Sequence, residues 1–349
     1  MRMRSIKNAC LQVGRSAGGF PVIGGSRWRR RRLLILCYHG ISLEDEHVWD
    51  GSLYLSPALL ADRLRLLKSL DAHVLPLTEA VERLYADDLP PRSVAITFDD
   101  GYHDFSERAF PLLADHGFPA TVYLPTANCG REAPVFGPAC SYILWRARGK
   151  SVSVPEIDKD ALELRTAAGL KAAVKAVRAV ARRDNLSLAD KNALLRRLAA
   201  AVGVDYGRIA DRRLLQIMNP SEVQRLSAEG VDFELHTHRH RTPLEYGAFK
   251  EEIETNRARL HEMIGRAAQH FCYPDGDYAP QFVPWLGELG VVSATTCDPG
   301  LATRATSPLM LPRFVDTSSA SPSEFEGWIC GAASFITPRR SYAHAVAAL

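Results

Sequence analysis

The strongest constraint on the fold is an apolar run, Val94 to Phe98, that ends in Asp99, Asp100 and Gly101. An apolar run of this length before a turn is typical of a strand buried on both faces, as in parallel sheets and barrels. Two adjacent carboxylates are unfavourable unless a positive group lies close to them. A divalent metal meets that need, with one carboxylate as a ligand and the other free to handle protons. Turn chemistry alone predicts a solvated turn instead, so the rest of the chain must decide.

Short strands of this kind alternate with helix signals along the chain. Ser56 followed by Pro57 predicts a helix start, and Asn219-Pro220-Ser221-Glu222 predicts another. The predicted strands are Leu33–His39, 72–77, 94–98, Pro119–Leu124, Val231–Leu235, His270–Pro274, Val291–Thr296 and Leu311–Val315. Strands and helices at this spacing form βαβ units, which predict an α/β barrel or a doubly wound sheet.

The rhythm breaks between residues 128 and 218, which are rich in Ala, Leu, Arg and Lys. Helical periodicity covers Leu162–Arg183 and Leu188–Val202, and no cluster there indicates chemistry. We therefore predict a helical insertion, and we divide the chain into four parts. These are a basic, flexible N-terminal arm (1–32), a catalytic barrel (33–127 and 219–320), the insertion (128–218) and a C-terminal extension (321–349).

Charge and cysteine content exclude several classes of protein. A net charge of +3 on 349 residues is too weak to indicate nucleic-acid binding. The seven cysteines form an odd set without a CxxC pair, which argues against a disulfide framework or a zinc ribbon and suits a reducing compartment.

The N-terminus carries a basic cluster, Arg27 to Arg32, that includes Trp28. The apolar segment after it, Leu33–Cys37, is shorter than the roughly 7–15 residues of a secretory signal and the about 20 of a membrane-spanning helix. We therefore expect a cytoplasmic protein, or one peripheral at the cytoplasmic face of the membrane through the Arg/Trp cluster. The alternative is that this cluster is a solvated arm.

Groups able to do chemistry follow four of the predicted strands. They are His39, the pair Asp99-Asp100, the cluster His236/His238/His240, and Tyr273-Pro274-Asp275. In barrels built from βα units, the active site is assembled at the carboxyl ends of the strands. Two histidines four residues apart, with one carboxylate, make a three-ligand set that leaves open positions on a divalent metal. The sequence therefore predicts a catalytic metal site.

These motifs resemble the NodB-homology polysaccharide deacetylases, carbohydrate esterase family 4. Thr97–Gly101 is similar to the first motif of that family, and His236–His240 to its H-[ST]-x-x-H motif. The resemblance runs from about residue 33 to 317 outside the insertion. Further matches resemble the subgroup acting on poly-N-acetylglucosamine-type exopolysaccharides: Tyr38-His39, Pro119-Ala-Thr, Tyr273–Gly276 and Leu311-Pro-Arg313.

The resemblance implies a fold and a reaction. The fold is a distorted (β/α)7-type barrel, and the reaction removes N-acetyl groups from an N-acetylhexosamine-containing polysaccharide or glycan. Asp99 would be the base, while Asp100, His236 and His240 would hold the metal, usually zinc, with Co²⁺, Ni²⁺ or Mn²⁺ as alternatives. Water on the metal would attack the acetyl carbonyl. The expected partner is an N-acetylated glycan and not a nucleic acid.

Two departures from the family pattern shift roles to other residues. The late Leu-x-His motif is absent, so His39 is predicted to be the general acid, as in the exopolysaccharide subgroup. The Arg-x-Pro-Tyr motif is replaced by Cys272–Asp275, so Arg313 is predicted to orient the base. The oxyanion is expected to meet the metal and a backbone N–H of the Tyr273–Asp275 loop. His238 is expected to point away from the metal.

Two other functions compete with this one. The first is a metal-dependent hydrolase of a small non-carbohydrate amide on the same scaffold. The second is a non-catalytic sugar-binding protein with a relic site, which the intact Asp99-Asp100 and His236/His240 sets disfavour. A groove lined by aromatic residues would favour an oligosaccharide, and a closed pocket under 128–218 would favour a small molecule.

Overall fold

Parallel strands form the centre of the computed structural model, which describes residues 2–158 and 160–337. The main sheet of this part of the chain has eight parallel strands. They are β1 Leu34–Tyr38, β2 His73–Val74, β3 Ser93–Phe98, β4 Thr121–Leu124, β5 Asp232–Leu235, β6 His270–Cys272, β7 Ser293–Thr295 and β8 Phe314–Val315. Two-residue strands pair outside this sheet, Gly40–Ile41 with Tyr54–Leu55 and Ser151–Val152 with Leu162–Glu163.

The sheet is curled, so that the strands at its two ends, β7 and β8, lie close to each other. Its order is β7-β6-β5-β4-β3-β1-β8, and β2 pairs with the start of β3. A parallel bridge between Thr295 and Leu311 links β7 to the segment that leads into β8. This curled, helix-covered sheet confirms the predicted barrel-type fold.

Helices cover the sheet. The α-helices are α1 Arg2–Ser16, α2 Gly19–Gly25, α3 Arg27–Arg30, α4 Glu46–Trp49, α5 Pro57–Ser69, α6 Leu77–Ala86, α7 Phe110–His116, α8 Phe136–Arg146, α9 Ala167–Arg183, α10 Leu188–Val202, α11 Tyr206–Asp211, α12 Pro220–Ala228, α13 Tyr246–Ile264, α14 Phe282–Glu288 and α15 Pro322–Cys330. A π-helical turn, Phe105–Ala109, precedes α7. Short 3₁₀ turns lie at Thr126–Asn128, Pro274–Gly276, Pro308–Met310 and Ala332–Phe335.

Capping side chains set several helix boundaries. Ser56 caps α5 by accepting the N–H of Leu59, and Pro57 occupies the first turn. Asn219 and Glu222 form a capping box at the start of α12. Helix α9 begins at Ala167 and not at Leu162 as predicted, because Thr166 caps it after the short strand at Leu162–Glu163.

The N-terminal segment is helical where we predicted a flexible arm. Leu11 of α1 and Phe20 of α2 are buried, and both approach Gly327 of α15. The buried Arg29 donates from Nε to the carbonyl of Ile329 at 2.7 Å and from Nη2 to that of Ser93 at 3.2 Å. The apolar contacts of Leu11 and Phe20 pack α1 and α2 against α15. The hydrogen bonds of Arg29 attach α3 to α15 and to β3, and they satisfy a guanidinium group that would otherwise be buried without partners.

The C-terminal extension also contributes to the core. All residues of α15 after Pro322 are buried, including Trp328. Residues 338–349 of this extension lie outside the described residues. Within the described part of the chain, no helix has the length and apolarity needed to cross a membrane.

The predicted insertion packs on the loop that follows β1. Tyr142 Oη and Arg146 Nη1 of α8 donate to the carboxylate of Asp45 at 2.5 and 2.6 Å. Trp49 Nε1 donates to Ser141 Oγ at 3.2 Å. Helix α8 of the segment 128–218 therefore packs against the loop at the carboxyl end of β1.

Candidate active site

The register of β1 and β3 places His39 beside Asp99. Tyr38 pairs with Phe98 at the ends of these strands, and the Asp99 N–H donates to the Tyr38 carbonyl at 2.8 Å. The chain then turns at Asp100, whose φ of 69° lies in the left-handed region. Gly101 follows with a φ of 64°, and a Cβ there would lie 2.4 Å from Leu124 Cδ1. The turn therefore requires glycine, and it separates the two carboxylates.

Asp100 faces two histidines that come from another strand. Its Oδ1 lies 3.5 Å from His236 Nε2 and 3.1 Å from His240 Nε2. The two imidazole rings are 4.8 Å apart at 70°. The fold therefore brings together the three residues predicted to hold a metal.

The backbone and neighbouring residues fix these histidines. His236 Nδ1–H donates to the Cys272 carbonyl at 2.8 Å, which leaves Nε2 as the ring nitrogen that faces Asp100. The His236 N–H donates to Asn256 Oδ1 at 2.9 Å. Thr237 and His240 have φ values of 57° and 53°, and this curl turns both imidazoles to one side.

The electrostatics of the cluster follow from its burial. Burial alone would raise the pKa of Asp100, but the imidazoles of His240 and His236 outweigh it and hold that pKa below its usual range. Burial also opposes the charged form of His240, yet the Asp100 carboxylate raises its pKa to about 9. The raised pKa of His240 favours its protonated form beside the Asp100 carboxylate.

The donor set fits a zinc-type ion. Donor atoms around a tetrahedral zinc lie about 3.4 Å apart when the bonds are about 2.1 Å long. The Asp100–His240 and Asp100–His236 separations, 3.1 and 3.5 Å, match that spacing. One carboxylate and two imidazoles leave positions for water and substrate, as catalytic metal sites require.

Asp99 lies in different surroundings from Asp100. It is 2% exposed, and Arg313 Nη1 and Nη2 donate to its Oδ1 and Oδ2, both at 2.7 Å. Arg313 comes immediately before β8 and is fully buried, with its Nε donating to the Thr296 carbonyl at 2.9 Å. Burial raises the pKa of Asp99, but the guanidinium outweighs it and holds that pKa far below its usual range. The predicted Arg313–Asp99 contact is present.

Two thiols complete the surroundings of Asp99. The Sγ atoms of Cys37 and Cys272 donate to Asp99 Oδ2 at 3.5 and 3.4 Å. Burial raises the pKa of both thiols well above its usual value, so they remain protonated. Cys37 lies on β1, which pairs with β3, whereas Cys272 lies on β6, which pairs with β5 and β7. The curl of the sheet brings both thiols to the same carboxylate, and the sequence alone does not show this.

His39 lies beside Asp99 and near the surface. Its Nε2 is 3.9 Å from Asp99 Oδ2, and its side chain is 16% exposed. Two buried acids hold the loop after it. Asp104 Oδ1 accepts the Ile41 N–H at 2.8 Å, and Glu46 Oε2 accepts the Glu44 N–H at 2.8 Å. Sequence reasoning missed both acids.

Burial raises the pKa of Asp104 and of Glu46. The two acids hold the loop of His39 through their hydrogen bonds to the backbone N–H groups of Ile41 and Glu44.

The Tyr273–Asp275 loop is only partly free to bind an oxyanion. The Tyr273 N–H donates to the Thr295 carbonyl at 3.2 Å, and Pro274 has no N–H. The Tyr273 hydroxyl donates to the Leu309 carbonyl at 3.0 Å. Asp275, with a φ of 57°, is exposed and close enough for its carboxylate to raise the pKa of His240. Of the three predicted residues, Asp275 alone keeps an amide for this role.

His238 points away from the metal cluster. Its Nδ1 forms a hydrogen bond with Thr126 Oγ1 at 2.9 Å, and its backbone carbonyl accepts the Ala127 N–H at 2.8 Å. Burial lowers its pKa. Its contacts are those of a residue that supports the loop.

A polysaccharide deacetylase family model matches residues 86–183 and 188–294, which is more than half of the chain. The match runs through most of the helical segment 128–218. The chain belongs to the polysaccharide deacetylase family, as its motifs predicted.

Among individual relatives, the chain is similar to the poly-beta-1,6-N-acetyl-D-glucosamine N-deacetylase of Staphylococcus aureus strain MSSA476. The two are 35% identical over 77 residues, or 22% of this chain. The match spans about a quarter of that relative, 27% of its length.

Two solved structures resemble the whole fold. The Streptococcus pyogenes deacetylase PplD in complex with acetate has a TM-score of 0.55 at 17% identity, over 83% of this chain and 95% of its own. IcaB from Ammonifex degensii has a TM-score of 0.55 at 16% identity, over 87% of this chain and 97% of its own. At such identities the likeness concerns the fold.

Proposed function

We propose that this protein is a metal-dependent hydrolase that removes N-acetyl groups from an N-acetylhexosamine-containing polysaccharide or glycan. One observation carries the proposal: two adjacent carboxylates face two different partners. Asp100 meets His236 and His240, while Asp99 is fixed by Arg313. Membership of the polysaccharide deacetylase family supports the same reaction.

Asp100, His236 and His240 would hold a divalent ion, and we propose Zn²⁺. When bound, this ion would polarise the acetyl carbonyl and lower the pKa of a water molecule. The three side chains supply one negative charge between them, because neutral imidazoles are the ligand form of histidine. The site would therefore keep a net positive charge toward a developing oxyanion.

Asp99 would act as the general base. Its pKa is held low, so at neutral pH the carboxylate is ionised, which is the form that can accept a proton. Arg313 occupies both carboxylate oxygens and orients their plane. Burial keeps bulk water from competing for the carboxylate.

His39 would act as the general acid. Its Nε2 lies 3.9 Å from Asp99 Oδ2, so a proton taken by Asp99 has a short route to the imidazole. From there it would reach the amide nitrogen as the C–N bond breaks and acetate leaves. The amide N–H of Asp275 is our candidate for a second contact with the oxyanion.

The test is acetate release from a panel of N-acetylated glycans, with metal-loaded protein compared with Asp99→Asn. We expect the parent protein to release acetate from at least one glycan, and the variant to release about 10²–10⁴-fold less. Asn keeps the size of Asp99 but cannot accept the proton. If metal-loaded parent protein releases acetate from none of the glycans, the proposed function is wrong.

A further inference from the structure

The charged residues of the chain are unevenly distributed. Nine basic residues and no acidic residue lie among the first 32 residues, which gives this segment a formal charge of +9. Since the whole chain carries +3, residues 33–349 carry −6. The positive charge is therefore concentrated in the segment that forms α1, α2 and α3. A concentration of one sign attracts surfaces of the opposite sign.

Part of this charge is used inside the protein. Lys7 and Arg15 of α1 pair with Glu324 and Glu326 of α15, with N–O distances of 2.7 and 2.6 Å. The buried Arg29 donates its hydrogen bonds to backbone carbonyls. These three cations hold the N-terminal helices on the barrel and are not available to a partner.

Other arginines of this segment present their charge to the solvent. Arg27 and Arg30 of α3 are exposed, and within the described part of the chain neither forms an ion pair or a side-chain hydrogen bond. Arg31 is also exposed, and its Nε lies 3.8 Å from Asp87 Oδ1. An exposed pair of this kind contributes little to stability. Helix α3 and the residue after it thus form a cationic surface.

Apolar side chains lie next to these arginines. The Trp28 ring of α3 stacks on Phe335 of the 3₁₀ turn after α15, with ring centroids 4.6 Å apart. Phe335 is nevertheless 63% exposed, and its neighbour Ile336 is 39% exposed. The Arg32 guanidinium lies 4.1 Å from the centroid of the Trp28 ring. We define the basic–apolar patch as Arg27, Trp28, Arg30, Phe335 and Ile336.

Exposed apolar residues are concentrated around this patch. Among the described residues, eight large apolar side chains are exposed, and half of them lie in α1, α2 or the segment after α15. These four are Val13, Val22, Phe335 and Ile336. Apolar side chains exposed together in this way indicate an interaction surface.

The patch is held rigidly. Gly331 ends α15 with a φ of 94°, and a Cβ there would lie 2.6 Å from Trp28 Cζ3. The backbone after α15 therefore approaches the tryptophan as closely as only a glycine allows. A partner that binds here meets side chains that are already ordered, which lowers the cost of binding.

The patch lies at the amino end of the sheet. Arg29, within α3, contacts the first residue of β3, Ser93, and β1 begins four residues after Arg30, at Leu34. His39 follows the opposite end of β1. A strand of five residues is about 17 Å long, so the length of β1 separates the patch from the candidate active site.

We infer that the basic–apolar patch binds the surface of a bilayer that contains anionic lipids. Arginines and a tryptophan suit the headgroup region, and exposed apolar side chains suit the acyl boundary just below it. A nucleic-acid duplex would contact the arginines through its phosphates but offers no apolar region to Phe335 and Ile336. On such a bilayer, the candidate active site lies at the end of the barrel away from the lipid. The inference does not depend on the proposed function.

Vesicle sedimentation with the full chain tests the inference. The vesicles contain phosphatidylcholine alone or with about one third phosphatidylglycerol, which supplies the negative surface. We expect the protein to sediment with the anionic vesicles and to remain largely in solution with the neutral ones. Raising the salt concentration from about 0.1 to 1 M should release much of it, because charges are then screened over about 3 Å and not 10 Å. Equal sedimentation with both kinds of vesicle would overturn the inference.

Removing two charges of the patch tests its location. We expect Arg27→Gln/Arg30→Gln to lower the partition coefficient for anionic vesicles roughly 30-fold. The matched control is Lys171→Gln/Lys175→Gln on α9, which removes the same charge from exposed positions without an ion pair among the described residues. This control should partition like the parent. An equal fall in both variants would mean that net charge alone matters, and the patch would be wrong.

The apolar half of the patch separates a bilayer from a nucleic acid. We expect Phe335→Ala to lower partitioning roughly tenfold, because a phenylalanine buries a large apolar surface. Leu188→Ala, at an exposed position of α10, should leave it unchanged. Thermal unfolding checks that each variant is folded, and if Phe335→Ala is not, the arginine pair decides. Duplex RNA that binds as tightly as the anionic vesicles, with no effect of Phe335→Ala on either, would overturn the inference.

Discussion

Asp99 and Asp100 are neighbours in the chain, yet the fold gives their carboxylates opposite surroundings. Asp99 continues the line of β3 and meets a buried guanidinium that holds both of its oxygens. Asp100 leaves that line at a φ of 69° and meets two imidazoles. One left-handed residue before a glycine thus directs two identical side chains into different environments.

The partners differ in a way that sets the chemistry. A guanidinium keeps its charge at all working pH values and cannot bind a metal, so the Arg313 side fixes a carboxylate permanently. Imidazoles can lose their proton and then offer a lone pair, so the histidine side can exchange protons for a metal ion. Under the proposed function, the Arg313 side would be the rigid half used for proton transfer, and the histidine side would be the half that coordinates the metal.

The largest expected effects come from Asp100→Asn and Asp99→Asn, compared side by side. Both should lower kcat by about 10³-fold or more. Metal content distinguishes them, because Asn at 100 removes the anionic ligand, whereas Asn at 99 leaves all three ligands intact. Elemental analysis after dialysis should find metal in Asp99→Asn and little in Asp100→Asn.

Thermal unfolding with and without added Zn²⁺ provides the control. Zinc should raise the midpoint of the parent and of Asp99→Asn, since a ligand that binds only the folded state stabilises it. Equal metal content in the two variants would contradict the division between the carboxylates.

An intermediate effect is expected from Arg313→Lys. A lysine keeps the charge but replaces a two-point contact with a single donor, so the Asp99 carboxylate loses its orientation. We expect kcat/KM to fall roughly 10–100-fold. Arg313→Met is expected to unfold more easily, because removing one partner of a buried pair costs about 3–5 kcal/mol.

The pH dependence of Arg313→Lys gives a readout that a general loss of stability would not change. Burial raises the pKa of Asp99, and Arg313 more than reverses that effect. A weaker partner therefore lets the pKa of Asp99 rise. Because the base works in its deprotonated form, activity should disappear at a higher pH on the acid side than in the parent. An unchanged acid limb would show that Arg313 does not act through Asp99.

The same comparison shows what the sequence could predict. Asp99, Asp100, His236 and His240 were found because each follows a recognisable strand, and parallel strands bring their carboxyl ends to one face. Arg313 was predicted to contact Asp99 because the arginine of the family's Arg-x-Pro-Tyr motif is absent from this sequence. The prediction of an oxyanion contact in the Tyr273–Asp275 loop included the Tyr273 amide, which in the structure already donates to the Thr295 carbonyl. This hydrogen bond depends on the register of β6 and β7, which the sequence does not show.

Tertiary burial accounts for the other differences. Basic, polar composition predicted an arm for residues 1–32, although Leu11 and Phe20 become buried once α15 covers them. No sequence motif singles out Asp104 or Glu46. Their role depends on the loop folding over them.

The smallest effect concerns Asp104, which supports the loop of His39. Its Oδ1 accepts the Ile41 N–H at 2.8 Å, and the side-chain oxygen of an asparagine can accept the same hydrogen bond. Asp104→Asn should stay within about threefold of the parent kcat, and Asp104→Leu, which leaves that N–H unpaired, should lower kcat about tenfold.

The comparison substrate is 4-nitrophenyl acetate, whose leaving group needs no proton. If His39 is the acid, Asp104→Leu should lose activity on the amide and keep most of it on the ester. An equal loss on both substrates would mean that Asp104 supports the site as a whole and not the proton donor.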